Sequence, residues 1–406
     1  MPSLRRMDGK RLAIIGSLVS RAMSLLRILP ALFLLAAAMP QAVAKPHTVS
    51  MRMTADQFDH LLPSLRHKRD TEAARAIAAV ELTERPSQSQ ASRWAGEMPG
   101  KRSNAALDAA IDAAVFLDPQ SEAMPADPMP DVREQTAILA RAMEYVKKTL
   151  HKLPNFYAIR SAMGFEVATA SDLASENFDA EFFHKKDYHD AKLLREDLGL
   201  SASIPAGHLY IEGTWQHTVT YRDGSEVEES TKTNGNSPSE SLWLTTNGEF
   251  GPILSAVLGD AMHGQVRWGH WERNAASRLA VFRYSVPRNA SHYMVMALAG
   301  HDQELPAYHG EIAIDSDSGT IYRITVQAWT HDPDTAEASG IAVEYDSVTI
   351  AGKAYICPVH SVAYWKIYPP YINEDAQPAP IPWREQMNDV RFTQYHVFRS
   401  EARILP

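Results

Sequence analysis

Alternating apolar and polar positions predict a β-hairpin across residues 308–329. In its first half, Ile312 and Ile314 alternate with polar or small residues. The second half alternates in the same way, with apolar side chains at Tyr322, Ile324 and Val326. Between the halves, residues 316–319 (SDSG) are turn formers, and the glycine suits the left-handed conformation that closes such loops. We therefore expect two antiparallel strands here.

Further strand-like runs flank this hairpin and predict a larger sheet. They cover residues 156–168, 215–221, 226–230, 266–271, 278–286, 291–298, 341–350, 355–366 and 386–398. Tight turns such as 221–225 and 351–353 join them instead of helical crossovers, so the sheet is expected to be antiparallel. An amphipathic helix is predicted at 132–153 and a short helix at 250–262. The predicted fold class is α+β.

Residues 50–117 have helical periodicity instead. Thr54 and Ser87 each stand three residues before a glutamine, which is the spacing of a capping box. Asp70 or Thr71 is expected to cap a second helix, and Ser103 to open a fourth. The segment is therefore predicted to be a stack of short helices.

A proline-rich acidic segment separates the two patterns. Residues 118–131 (DPQSEAMPADPMPD) contain four prolines and four acids and have no periodicity. The sequence thus predicts a signal peptide at 1–44, a helical domain at 45–117, a linker at 118–131 and a β-sheet domain at 132–406.

The first 44 residues have the pattern of an export signal. Six Arg and Lys residues precede or flank an apolar run at 28–38, and Ala42-Val43-Ala44 is a small-x-small cleavage site. The apolar run is shorter than the ~20 residues that span a bilayer. We expect a cleaved signal and no permanent membrane span, and a periplasmic or secreted mature protein.

Charge and cysteine content narrow the function classes. Removing the six basic residues and single acid of the signal takes the formal net charge from −9 to −14. Such an acidic chain without a basic cluster is not expected to bind nucleic acid or anionic headgroups. Cys357 is the only cysteine, so neither an intramolecular disulfide nor a lipid-modified N-terminal cysteine is available.

The helix that leads into residues 153–158 (LPNFYA), followed by a long antiparallel meander, resembles the LolA-like lipoprotein-carrier family of the periplasm. In that family a curved sheet, a half-barrel, wraps a hydrophobic helix and offers an apolar concave face to acyl chains. Several runs are also similar to a family of uncharacterised exported bacterial proteins: 81–86 (ELTERP), 145–150 (YVKKTL), 308–312 (YHGEI), 355–359 (YICPV) and 389–392 (DVRF). These resemblances imply a half-barrel wrapped on a helix, preceded by a small helical domain.

The sequence predicts no catalytic residues and no cofactor. It has no G-x-S-x-G nucleophile elbow. Cys357 lies within a predicted strand before Pro358, where a buried apolar role is expected, and His360 points to the opposite face of that strand. The protein is therefore predicted not to be an enzyme.

One polar segment suggests a metal site as an alternative. Residues 181–190 (EFFHKKDYHD) hold His184 and His189 among several carboxylates, which are the ligand types that zinc uses. The segment lacks the H-E-x-x-H spacing and contains two lysines, so a solvated polar segment explains it as well.

Aromatic residues in or beside the predicted strands are the candidate ligand-binding residues. They are Trp215, Trp243, Trp268, Trp271, Phe282, Tyr284 and Tyr293. Large aromatic side chains commonly fill a sheet's own core. Alternatively, they line an open apolar groove, which needs no catalytic group.

Three functions remain open from the sequence. The leading hypothesis is a non-enzymatic envelope protein that binds an apolar ligand, a lipid or acyl chain, in a half-barrel groove, with a lipoprotein among its partners. The alternative is a structural or protein-interaction module that contacts another envelope protein and has no small-molecule site. The third is a metal-dependent hydrolase that uses His184 and His189.

Overall fold

The computed structural model of the chain describes residues 51–121, 124–150, 153–167, 209–228, 246, 248–274, 277–296, 303–329, 338–367 and 384–397. These residues form six α-helices and fourteen strands. The N-terminal elements are β1 (Met51–Met53), α1 (Ala55–Leu65), α2 (Asp70–Ala78), β2 (Val80–Leu82), α3 (Gln88–Trp94), α4 (Lys101–Ala113) and α5 (Val132–Leu150). The others are β3 (Phe156–Val167), β4 (Leu209–Arg222), β5 (Ser225–Glu228), α6 (Pro252–Ala261), β6 (Gln265–Arg273), β7 (Arg278–Val286), β8 (Val295–Met296), β9 (Gln303–Glu304), β10 (Tyr308–Asp315), β11 (Ile321–Trp329), β12 (Ala338–Ile350), β13 (Lys353–Ile367) and β14 (Arg384–Val397).

Ten of the strands form one open antiparallel sheet. Their order is β5-β4-β3-β14-β13-β12-β11-β10-β7-β6, so β5 and β6 are the edges and the sheet does not close into a barrel. The pairing at both β14–β3 and β10–β7 joins strands that are distant in sequence. The mixed α/β class and the antiparallel sheet are therefore confirmed.

The predicted hairpin at 308–329 is formed by β10 and β11. Its turn is held by Asp315, whose Oδ1 accepts hydrogen bonds from the amides of Asp317 and Ser318. Gly319 has a φ of +77°, as the left-handed position requires. The tight turns after β4 and β12 also form, with Asp223 and Ala351 in the left-handed region.

One face of the sheet is apolar and is covered by α5 and α6. We call it the apolar face. Ile138, Ala142 and Val146 of α5 and Val257 and Leu258 of α6 are buried against it. The strands contribute inward residues at alternate positions, among them Ala280, Phe282, Ile312, Ile324, Val326, Ile341 and Val343. This layer is the largest hydrophobic core in the described chain, and hydrophobic burial there is the main stabilising term.

The N-terminal helices have a core of their own. Phe58 packs edge-on against Trp94 with ring centroids 5.3 Å apart. Both predicted capping boxes form, at Thr54 and Ser87. The prediction that Asp70 or Thr71 caps α2 is wrong, because that cap is Arg69 without a side-chain bond. Instead Asp70 accepts hydrogen bonds from the first amides of α4, at Arg102 and Ser103, where a helix leaves its amide groups unpaired.

Helix α4 lies on the opposite face of the sheet from α5 and α6. Its Ala105 and Ala109 pack with Val362 of β13 and Met387 of β14. The helices and the sheet thus meet within one compact unit, His47–Pro406. The predicted division of the chain at 118–131 remains a prediction.

Two local predictions differ from the structure. The strand expected at 291–298 is reduced, in the described residues, to the two residues of β8, which pair with β9 outside the main sheet. Val80, expected on a helix, begins β2, which pairs in parallel with β1. No helix in the described part of the chain is both long and apolar enough to cross a membrane.

Candidate functional site

A row of polar side chains crosses the sheet on the face that α4 covers. We call it the polar face. Strand register places Arg323 of β11 opposite Glu344 of β12, Glu344 opposite His360 of β13, and His360 opposite Arg391 of β14. Their sequence neighbours Ile324 and Val343 belong to the apolar face. The period of two along each strand therefore sends the charged groups to one side and the aliphatic groups to the other.

Arg85 connects the N-terminal helices to this row. Its guanidinium lies 2.6 Å from the Glu272 carboxylate, which also binds Arg323 at 2.8 and 2.9 Å and His270 at 2.7 Å. Glu311 completes the group, 3.5 Å from Arg85 and 3.7 Å from Arg323. We call these five residues the arginine clamp. All of them are largely buried, so the clamp joins the segment after β2 to β6, β10 and β11.

The neighbouring charges within the clamp determine whether Glu272 and Arg323 are ionised. Burial alone would raise the pKa of the Glu272 carboxyl, but Arg323, His270 and Arg85 together outweigh burial and hold that pKa well below its ordinary value. Arg323 shows the same balance with the opposite sign, since Glu272 and Glu311 raise its pKa despite burial. Both groups are therefore charged at neutral pH.

A cavity of about 440 Å³ lies between the N-terminal helices and the polar face. We call it the cleft. Its helical wall includes Ser92 of α3 and Asp112 of α4. The sheet contributes charged groups of both signs: Glu272, Arg273, Arg323, Glu344, Asp346, His360 and Arg391. A smaller cavity of about 350 Å³ lies nearby, and Asp108 and Arg391 line both.

Two carboxylates and an imidazole meet at the floor of the cleft, where α4 crosses the sheet. Asp112 and His360 line the cleft itself, and Asp389 beside them lines the smaller cavity. Nε2 of His360 lies 3.0 Å from Oδ1 of Asp389 and 3.6 Å from Oδ1 of Asp112. Nδ1 of the same ring lies 3.3 Å from Glu344. Arg391 contacts the second oxygen of Asp389 at 3.2 Å. We call Asp112, His360 and Asp389 the floor cluster.

Burial and mutual charge perturb the floor cluster strongly. Burial raises the pKa of Asp112 well above its usual value, and the neighbouring Asp389 raises it further. Burial would lower the pKa of His360, but its hydrogen bonds to Asp389 and Glu344 raise it well above the ordinary value. The imidazole is therefore held as imidazolium at neutral pH, with a carboxylate at each ring nitrogen.

Most of the aromatic residues predicted to bind a ligand lie in or against the largest hydrophobic core of the described residues. Trp271, Phe282 and Tyr284 are buried on the apolar face, and Trp268 is partly buried beside them. Trp268 contacts both Trp271 and Phe282, at 4.8 and 5.5 Å between ring centroids. Tyr284 and Tyr293 each contact Tyr308, at 5.8 and 5.5 Å. Five of the seven residues therefore pack within one layer beneath α5 and α6.

The two remaining aromatic residues fall elsewhere. Trp215 is partly buried against a separate core around Phe156 and also lines the smaller cavity. Trp243 lies outside the described residues, as do both histidines of the predicted metal segment, His184 and His189. Contact between these seven aromatic residues and a ligand stays a prediction.

Cys357 is fully buried in the core around Phe156. Burial raises the pKa of its thiol to about 12, so the group is neutral at physiological pH. A neutral thiol is a poor nucleophile.

Sequence reasoning did not identify the cleft. Arg323, Glu344 and Arg391 each occupy the polar position of an alternating strand, which is the ordinary pattern of a solvent-facing side chain. Arg85, Asp389 and Arg391 do lie in the runs ELTERP and DVRF that carried the family resemblance. Those two runs are the only feature of the sequence that pointed to these residues. Strand register and the placement of α4 then bring the residues together in the fold.

No protein-family model matches the sequence, and no curated protein matches it. Among solved structures, the chain is similar to the crystal structure of a LolA superfamily protein from Nitrosomonas europaea, with a TM-score of 0.25 and 10% sequence identity. That match covers 67% of this chain and 96% of the other.

Proposed function

We propose that the protein binds a small zwitterionic molecule, of the amino-acid or short-peptide class, in the cleft. The observation that carries this proposal is the cavity of about 440 Å³ with charged groups of both signs on its wall. Small-molecule sites commonly have volumes of roughly 300–1,000 Å³ and a few converging polar groups. A zwitterion of this size matches both the volume and the mixture of charges.

Three charged side chains on the wall of the cleft stay partly exposed although each contacts a group of opposite charge. The Arg273 side chain is 70% exposed and its contact to Asp127 is long, at 3.8 Å. Arg391 is 52% exposed, and Glu344 is 47% exposed. The two arginines suit a ligand carboxylate, and Glu344 suits a ligand ammonium group. The arginine clamp is internally paired and serves to hold the wall in place.

We infer that neither His360 nor Cys357 acts as a catalytic base or nucleophile in the cleft. A general base must be able to take up a proton near neutral pH, and the carboxylates around His360 keep it protonated there. The cysteine is buried in a different core. The export signal predicted at 1–44 supports a role in the periplasm or outside the cell.

A substitution that fills the cleft tests this function. Ser92 is exposed on α3 and lines the cavity, whereas Ser89 is exposed on the same helix and is not part of the lining. Free amino acids, dipeptides and, as uncharged controls, monosaccharides are screened by thermal shift and confirmed by calorimetry. We expect a zwitterion to bind the wild type and Ser89→Trp but not Ser92→Trp. Equal binding to both variants, or no zwitterion bound by the wild type, would overturn the proposal.

A second candidate function is contact with an acyl chain, as the half-barrel hypothesis anticipates. Three large apolar side chains are exposed next to the end of α6 and the β8–β9 pair: Met262 (59%), Met294 (52%) and Leu305 (45%). In the β8–β9 pairing Val295 lies opposite Glu304, and Met294 and Leu305 are the next residues along the chain on the same side of this pair. The amide of His292 donates to Asp260 at 2.7 Å, which ties this segment to the end of α6 beside Met262. Neighbouring exposed apolar groups of this kind favour a lipid contact.

Native mass spectrometry with lipid extraction tests the second candidate. The double variant Met294→Glu with Leu305→Glu is compared with Met129→Glu, which changes an exposed methionine in the segment before α5. A co-purifying lipid that is lost only from the double variant would support acyl-chain binding. A wild-type protein that carries no lipid and does not bind added phospholipid vesicles would exclude acyl-chain binding.

A further inference from the structure

The floor cluster has the ligand types and spacing of a metal site. One ligand atom each from Asp112, His360 and Asp389 lie within 4.8 Å of one another. Zinc ligands bond at about 2.0–2.2 Å, so neighbouring ligand atoms stand roughly 3–3.5 Å apart around a bound ion. The observed 3.0 and 3.6 Å separations from Nε2 of His360 are close to this range. The ligand atoms of Asp112 and Asp389 lie within 4.8 Å of each other.

A buried oxygen without a partner supplies independent evidence. The Asp112 side chain is only 3% exposed. Its Oδ2 atom has no hydrogen-bond partner among the described residues. Leaving a buried carboxylate oxygen unsatisfied is costly, and such atoms are rare in native proteins. A cation bound by both oxygens of the Asp112 carboxylate, with Oδ1 on the side of His360, would satisfy Oδ2 as well.

The surroundings orient the other two ligands. Nδ1 of His360 faces Glu344 at 3.3 Å, which leaves Nε2 directed at the two aspartates. A carboxylate bound to the far nitrogen of a metal-binding histidine is the usual way to fix its tautomer and orientation. Arg391 holds Oδ2 of Asp389 at 3.2 Å and leaves Oδ1 facing His360. His360 and Asp389 are therefore each held in place by a neighbouring side chain before any ion binds.

We propose that Asp112, His360 and Asp389 bind a divalent cation of the zinc class at the floor of the cleft. An imidazole with two carboxylates suits Zn²⁺ among the common divalent ions. The ion would take the place of the proton between Nε2 and the aspartates. Because Asp112 and His360 line the cleft, an ion bound to them would lie beside the cavity. The cation site depends on its own three side chains and does not require that the cleft bind a zwitterion.

The other His–carboxylate group on this face provides a matched comparison. His270, Glu272 and Glu311 also lie within 4.8 Å of one another. Their carboxylates are already bound by Arg85 and Arg323, whose positive charges disfavour a metal ion. We expect no zinc there. His270 and His360 are both partly buried on the polar face, so His270→Asn is a control for His360→Asn.

Zinc binding to the full-length mature protein tests the proposal. Chelator-treated protein is titrated with Zn²⁺ by calorimetry in the absence of amino acids and peptides. We expect one Zn²⁺ per chain in the wild type and in His270→Asn, and at least tenfold weaker binding in both Asp112→Asn and His360→Asn. Asp112→Asn preserves the side-chain shape, and circular dichroism confirms that each variant is folded.

Two further measurements keep the result decisive if a variant fails to fold. X-ray absorption of the zinc-loaded wild type is expected to show only nitrogen and oxygen donors, with a single imidazole. The double variant His184→Ala with His189→Ala is expected to retain zinc. Loss of zinc from that double variant, retained affinity in Asp112→Asn and His360→Asn, or no zinc bound by the wild type would overturn the proposal. A wild type that binds zinc but no zwitterion would remove the proposed function and leave the cation site standing.

Discussion

At the scale of single residues, Glu272 is the carboxylate on which the polar face depends. It binds Arg85 from the segment after β2 and Arg323 from β11, and all three are largely buried. A buried cluster of charges contributes little more to folding stability than apolar side chains of the same volume would. The reason is that removing each charge from water costs free energy, which the pairing only offsets. Removing one partner, however, leaves the others buried without compensation. The interaction therefore fixes where the N-terminal helices sit more than it adds to stability.

We predict that Glu272→Gln lowers the free energy of unfolding by about 3–5 kcal/mol, since it leaves two buried arginines with Glu311 as their remaining clamp carboxylate. Urea denaturation measures the change. Glu72→Gln is the control, because the Glu72–Lys68 pair lies on the surface and its loss is expected to cost less than about 0.5 kcal/mol. A similar small loss in both variants would contradict the role assigned to the clamp.

The same carboxylate predicts a dependence of stability on pH. The pKa of Glu272 is lower in the folded protein than in the unfolded chain, so the unfolded chain binds more protons as the medium is acidified. Its contribution is present above the ordinary glutamate pKa and is lost as pH falls through the folded value. Below pH 4.5, the urea midpoint of the wild type should therefore fall more steeply than that of Glu272→Gln. Parallel pH profiles would show that Glu272 is not the responsible group.

At the scale of elements, local patterns predicted what local interactions decide. The alternation around Ile312 and Ile324 located β10 and β11, and the capping box at Thr54 located the start of α1. The strand expected at 291–298 failed because a short alternating run does not specify its partner strand. The charged row was likewise beyond local patterns. Its members come from four strands, and their alignment depends on register set by distant pairings.

Two glycines are expected to respond to alanine in opposite directions. A Cβ at Gly310 in β10 would stand 1.8 Å from the Thr325 carbonyl oxygen, which also accepts a hydrogen bond from Tyr284. We expect Gly310→Ala to destabilise the protein by about 1–3 kcal/mol or more through overpacking. Gly259 in α6 has open space around it, so Gly259→Ala is expected to stabilise by up to about 1 kcal/mol through helix propensity. Thermal or urea unfolding of both variants checks the signs, and equal signs would contradict this packing of β7, β10 and β11.

At the scale of the whole molecule, the sheet separates two kinds of interface. Helices α5 and α6 fill the apolar face with side chains of the chain itself, including most of the aromatic residues that suggested a groove. Helices α3 and α4 approach the other face across charged groups and enclose the cleft. Periodicity shows that each strand has two faces, but which helices cover each face is decided by tertiary packing. The sequence therefore predicted the sheet and its class, and the position of the cleft required the structure.

Hydrogen–deuterium exchange can show whether the ligand site lies on the polar face. Exchange is compared with and without the amino acid or dipeptide that gives the largest thermal shift. We predict slower exchange in α3, α4 and the middle of β13, around Ser92, Asp112 and His360, with no change around Met294 and Leu305. Protection confined to α6 and residues 291–305, or none in α3 and α4, would show that the ligand does not bind in the cleft.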